Sequence, residues 1–187
     1  MAGHVRIVAL LQRFRVQERG VAAVEFALIL PFLLLLYFGT LEAASLYTVD
    51  RRVYTIAGTM GDLVSREDTA ISTATMDDYF AAAQNIMRPY STTGLRQVVS
   101  LLQVANDGTV TVRWSRGFNG GVARAANSAY TLDADRELNL MARGDYLVVS
   151  EIEYSYLPMF GMVISNAINL NRAEYFLPRF EGGIALN

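Results

Sequence analysis

The groups that could do chemistry in this 187-residue sequence are nearly all carboxylates, because it holds no cysteine and a single histidine, His4. Thiolate nucleophiles, disulfides and Cys-ligated zinc are excluded, and neither a Ser-His-Asp triad nor a polyhistidine metal site has residues to use. Three acidic arrangements remain. Glu151 and Glu153 share a face of an alternating segment, a spacing that could serve paired-carboxylate catalysis but that a solvated face on an exposed edge explains. Asp133, Asp135 and Glu137 alternate like the start of a calcium loop; they lack its glycine and distal glutamate, and acids at the start of a short helix through about Ala142 account for them. The third is Glu25, alone inside an apolar run. Gly117 and Gly120-Gly121 do not have the spacing of a nucleotide-binding turn, and a net charge of −2 gives no reason to expect nucleic acid. The expectation is a protein that is not an enzyme, with no cofactor, no metal and no small-molecule substrate.

The element that must position Glu25 is the segment Val21–Leu41, 21 residues of which 17 are apolar. As a helix it spans roughly 32 Å, one membrane crossing. Arg6, Arg13, Arg15 and Arg19 precede it against a single Glu18, whereas Arg51 and Arg52 beyond it are offset by Glu42 and Asp50. That bias orients the N-terminus to the cytoplasm and the rest outside, which in bacteria means the periplasm or beyond. A cleaved secretory signal would have an apolar core of about 7–15 residues and an A-x-A-like site; the run here is longer, and Glu42-Ala43-Ala44-Ser45 is a poor match. Only 16 uncharged residues separate Glu25 from Glu42, about 24 Å of helix against a hydrocarbon core of about 30 Å, so Glu25 lies at or inside the membrane boundary. An ionisable residue there is costly and calls for a partner.

The run Arg19-Gly-Val-Ala-Ala-Val-Glu-Phe-Ala-Leu-Ile-Leu-Pro31 places a basic leader ending in glycine before a helix whose fifth residue is glutamate. It resembles the processing site of type IV prepilins and, more closely, the TadE/TadF/TadG family of pilin-like proteins of the tight-adherence (Flp, type IVc) system. The resemblance implies a pilin-like protein cut by a prepilin peptidase between Gly20 and Val21. Glu25 would then be the counter-charge of the new Val21 ammonium, on its own helix or on a neighbouring subunit, favouring one register of stacked helices. Phe26 and Pro31 complete the motif, and Pro31 removes one backbone donor and would kink or loosen the helix near mid-membrane. Loss of residues 1–20 would shift the formal charge from −2 to −5, with 12 arginines against 17 acids. The segment Tyr154-x-Tyr156-x-Pro158 and the closing Pro178-Arg179 also resemble the C-terminal part of TadE-like proteins, more weakly.

Beyond the span, Leu46, Val49, Val53, Ile56, Ala57, Met60, Leu63 and Val64 recur at spacings of three and four, which predicts that the helix continues to about Ser65. Arg66 to Thr75 reads as a connection, and Thr75 with Asp78 as the cap of a second helix burying Tyr79, Phe80, Ala83, Ile86 and Met87 before Pro89. Leu95–Ala105 and Thr109–Ser115 are β-rich runs joined by Asn106-Asp107-Gly108, a hairpin signal, with Val110, Val112 and Trp114 as its buried face. Residues 116–130 read as an exposed loop, Tyr146–Leu157 as the longest strand, Met159–Ala167 as a short packed helix or loop, and Asn169–Phe176 as a final strand.

These readings combine into an α+β, pilin-like chain: residues 1–20 a cytoplasmic basic leader that is cleaved, 21–44 a transmembrane helix, and 45–187 a periplasmic domain with an antiparallel sheet. The expected location is the bacterial inner membrane, single-pass, with incorporation into a pilus. Expected partners are the membrane, a prepilin peptidase, and other pilins and pilus assembly proteins. The expected function is that of a minor pilin or pseudopilin in assembly or anchoring of a tight-adherence pilus. The competing expectation is an unprocessed single-pass protein whose periplasmic domain binds or scaffolds other envelope components.

Overall fold

A helix of 48 residues, α1, runs from Glu18 to Ser65 in a computed structural model that describes residues 18–132 and 142–187. Residues 1–17 of the leader, and Asp133, Asp135 and Glu137 with the short helix expected there, lie outside the described residues. The chain divides into two units: one takes the residues up to Ala44 with Met159–Ser165, and the other Ser45–Pro158 with Asn166–Asn187.

The second unit is built on a four-stranded antiparallel sheet in the order β3-β2-β4-β5, formed by β2 (Leu95–Val104), β3 (Val110–Phe118), β4 (Tyr146–Tyr156) and β5 (Ile168–Phe176). Asn106-Asp107-Gly108 closes the β2–β3 hairpin as its sequence requires: Gly108 has φ 90°, and the Asp107 carboxylate accepts both the backbone N–H and the hydroxyl of Thr109. Those two bonds hold the Asp107 carboxyl below its ordinary value.

The 3.6-residue periodicity of α1 past Ser45 has its physical outcome on one face of this sheet. Val49, Val53, Ile56, Ala57, Met60 and Val64 are buried against Leu95, Val99, Leu101, Val148, Ile152 and Tyr154. Gly61 lets the helix approach closely, since a Cβ there would collide with the Phe176 ring. The second helix, α2 (Thr73–Gln84), adds Met76, Phe80 and Ala83 to the same core. It starts earlier than its sequence suggests: Ser72, not Thr75, is the cap, its hydroxyl accepting the Thr75 N–H at 3.0 Å.

Trp114 departs from the expected face. Leu101 pairs with Trp114 and Leu102 with Val112, so Arg113 is an extra residue in β3. The bulge turns Trp114 onto the helix-covered face, where its Nε1–H donates to the Ile184 carbonyl at 2.6 Å. Val110 and Val112 face the other way, into a second core with Leu102, Val104, Leu147 and Val149 that Tyr130 and Leu132 cover. The expected exposed loop is therefore shorter and more fixed than residues 116–130: β3 runs to Phe118, and Val112 and Tyr130 donate backbone N–H groups in pairing between residues 110–112 and 127–130.

Two short strands also escaped the sequence patterns. β1 (Ala70–Ile71) lies within the expected connection and pairs in parallel with β6 (Ala185–Leu186), so β5 is not the final strand. Residues 159–167 form a loop rather than a helix.

Candidate membrane and assembly segment

The first half of α1 holds all five residues of the N-terminal motif. Val21, Glu25, Phe26 and Pro31 are exposed, Gly20 is half-buried, and every residue from 21 to 37 is exposed. Val21 and Glu25, four residues apart, lie on one helix face with a rise of about 6 Å between them. The helix is continuous through Pro31, which has no N–H to offer the Ala27 carbonyl one turn below. The most apolar window of α1 is wholly unburied, and among the described residues α1 alone is long and apolar enough to cross a membrane. An apolar surface of this size needs lipid or partner helices to cover it.

The other end of this segment contains a site that sequence reasoning missed. Glu42, which the sequence places at the end of the apolar run, is 2% exposed. Its carboxylate accepts the backbone N–H groups of Met162 at 3.1 Å, Val163 at 3.3 Å and Ile164 at 3.2 Å. The chain turns toward it at Gly161, with φ 63°. Around the clamp, the Phe38 and Phe160 rings lie 5.1 Å apart between centroids, and a Cβ on Gly39 would stand 3.4 Å from Val163 Cγ2. Local sequence gives no signal for a pairing whose halves are 120 residues apart; the one hint is an acid placed directly after an apolar span.

Each acid of β4 has an arginine beside it. Glu151 is bound by the Arg124 guanidinium through both carboxylate oxygens, and Glu153 lies 3.7 Å from Arg96. Nor is β4 the expected exposed edge, because β2 and β5 flank it. The Tyr130 ring stacks under Arg124 at 4.9 Å, and burial pushes its hydroxyl well above the usual phenol value. An open groove of about 410 Å³ beside Arg96 and Glu153 is lined by Thr93, Ser155, Asn169 and Asn171, a polar surface.

The arrangement at the N-terminal end is thus a glycine, an exposed apolar helix, and one acid a turn beyond the glycine's neighbour. Residues 20–53 match the family of TadE-like proteins. No curated protein and no solved structure matches the chain. The TadE-like match takes in the whole exposed segment, the Glu42 clamp position and the first turns of the helix that pack on the sheet, Val49 and Val53 among them. It points to a protein associated with the tight-adherence pilus system. Tyr154, Tyr156 and Pro158, outside the TadE-like match, are buried; the Tyr154 hydroxyl donates to the Ser91 carbonyl at 3.0 Å.

Proposed function

We propose that the chain is a minor pilin or pseudopilin that takes part in assembly or anchoring of a tight-adherence pilus. The observation that carries this reading is an unburied apolar helix in which Glu25 is the only charge between Val21 and Leu41, inside the TadE-like match. Residues 1–20 are the leader, removed by a prepilin peptidase between Gly20 and Val21. Residues 21–44 cross the inner membrane with the N-terminus cytoplasmic, and 45–187 form the periplasmic domain. Once the leader is gone, the Val21 ammonium and the Glu25 carboxylate compensate each other, within one helix or between neighbours, and the pairing selects a register for helices that are otherwise uniformly apolar. Phe26 belongs to the same motif, and Pro31 is the point at which the helix bends as it leaves the bilayer for an assembly. The work is structural, with other pilins and assembly proteins as partners.

Mass spectrometry of the protein taken from its native membrane tests the reading. A mature N-terminus at Val21 is expected; an intact leader would sink it and favour an unprocessed anchor with a binding or scaffolding domain. Separately, Glu25→Ala is expected to insert normally and to lose piliation, and normal piliation in that variant would remove the role given to Glu25.

A further inference from the structure

We propose that the loop Met159–Ile164 is a second membrane-contacting element, seated in the outer lipid interface against the end of the transmembrane helix and held there by Glu42. Four of its side chains are exposed and apolar: Met159 at 79%, Phe160 at 45%, Met162 at 58% and Val163 at 53%. They continue the lipid-facing surface of α1, because Phe160 packs on Phe38 and Val163 on Gly39. Phe38 lies three residues before Leu41, the end of the apolar run, about 5 Å of helix, so the residues touching it are level with the last turn of that run.

The backbone of the loop is prepared for that depth. A peptide N–H that leaves water without an acceptor is costly, and the N–H groups of Met162, Val163 and Ile164 all have one in the Glu42 carboxylate. The requirement is mutual, since a carboxylate at the end of a membrane span needs donors of its own. No charged residue lies between Pro158 and Ala167, so nothing in the loop resists lipid. In water the same arrangement would spend three donors on one acid and leave four large apolar side chains uncovered. A lipid surface, continuous with the one around α1, covers them.

The natural absence of cysteine allows a direct test on the full chain. Nitroxide labels on Met159→Cys and Met162→Cys are measured in vesicles of phosphatidylethanolamine and phosphatidylglycerol, with oxygen and a polar nickel complex as collision probes. Oxygen collisions are expected to dominate at both sites. Dominant nickel collisions would place the loop in water, and low collisions with both probes would bury it in another protein copy; either result overturns the proposal. A label on Leu35→Cys reports insertion of the helix independently, so a failure of the membrane reading is distinguishable from a failure of the loop. Adding Glu42→Gln to Met159→Cys, with the Leu35 position still lipid-exposed, is expected to shift the Met159 site toward nickel access. No shift would overturn the clamp.

Discussion

Glu174 lies on β5 opposite Ser150, and burial raises its carboxyl above the ordinary 4.5, with Arg172 pulling the other way. A carboxyl whose folded pKa is raised favours folding while it is protonated. Its contribution is therefore fully present below the unfolded value and is lost as pH rises through the window between the ordinary and the raised pKa. Glu174→Gln is expected to stabilise the protein at neutral pH and to have no advantage in acid, measured as urea midpoints at the two pH values; an equal midpoint at neutral pH would refute it. Gly61 makes the opposite kind of prediction. Gly61→Ala places a methyl group where the Phe176 ring sits, and the expected cost is about 1–3 kcal/mol of unfolding free energy despite alanine's better helix propensity. Neither position announces itself in the sequence, because a half-buried acid and a helix glycine acquire meaning only from the strand laid across them.

Among the elements, the ones with a long period were legible and the ones fixed by a single residue were not. Val49, Val53, Ile56, Met60 and Val64 repeat often enough to define a buried stripe, and Asn106-Asp107-Gly108 encodes its own turn. Arg113 does neither: one inserted residue reverses every side chain after it, so alternation read across the bulge put Trp114 on the wrong face. β1 and β6, two residues each, are too short to show any alternation. The bond from Trp114 Nε1 to the Ile184 carbonyl ties the bulged strand to the segment before β6. Trp114→Phe keeps an aromatic ring at the position but removes the donor and part of the indole's packing, at an expected cost of about 1–3 kcal/mol. Hydrogen exchange is expected to accelerate at Ala185 and Asn187, whose N–H groups donate to Thr69 and Ile71, while Val99 and Val149 in the central strands stay protected. Uniform acceleration across the sheet would contradict this local role.

At the scale of the molecule, the hydrophobic cores formed among the described residues lie within the unit of Ser45–Pro158 and Asn166–Asn187. A fragment of residues 45–187 is expected to unfold cooperatively and without detergent, at a urea midpoint close to that of the full chain in vesicles. Non-cooperative melting would show that the span is part of the fold and not only its tether. The N-terminal motif could be read from the sequence because its residues lie close together: Gly20, Val21, Glu25, Phe26 and Pro31 fall within a dozen positions. The Glu42 clamp was not, because its donors are main-chain N–H groups of Met162–Ile164, and every residue but proline has one of those whatever its side chain.

The parallel pair β1–β6 also sets an order in time. Ala70 pairs with Ala185 and Ile71 with Leu186, while the Thr73 N–H at the first turn of α2 donates to the Asn187 carbonyl. During synthesis Ala70 and Thr73 emerge long before these partners exist, and closing so long a loop is slow compared with forming the β2–β3 hairpin. The β2–β3 hairpin can therefore form early, whereas the start of α2 and the Trp114 indole wait for residues 184–187 before their bonds are complete.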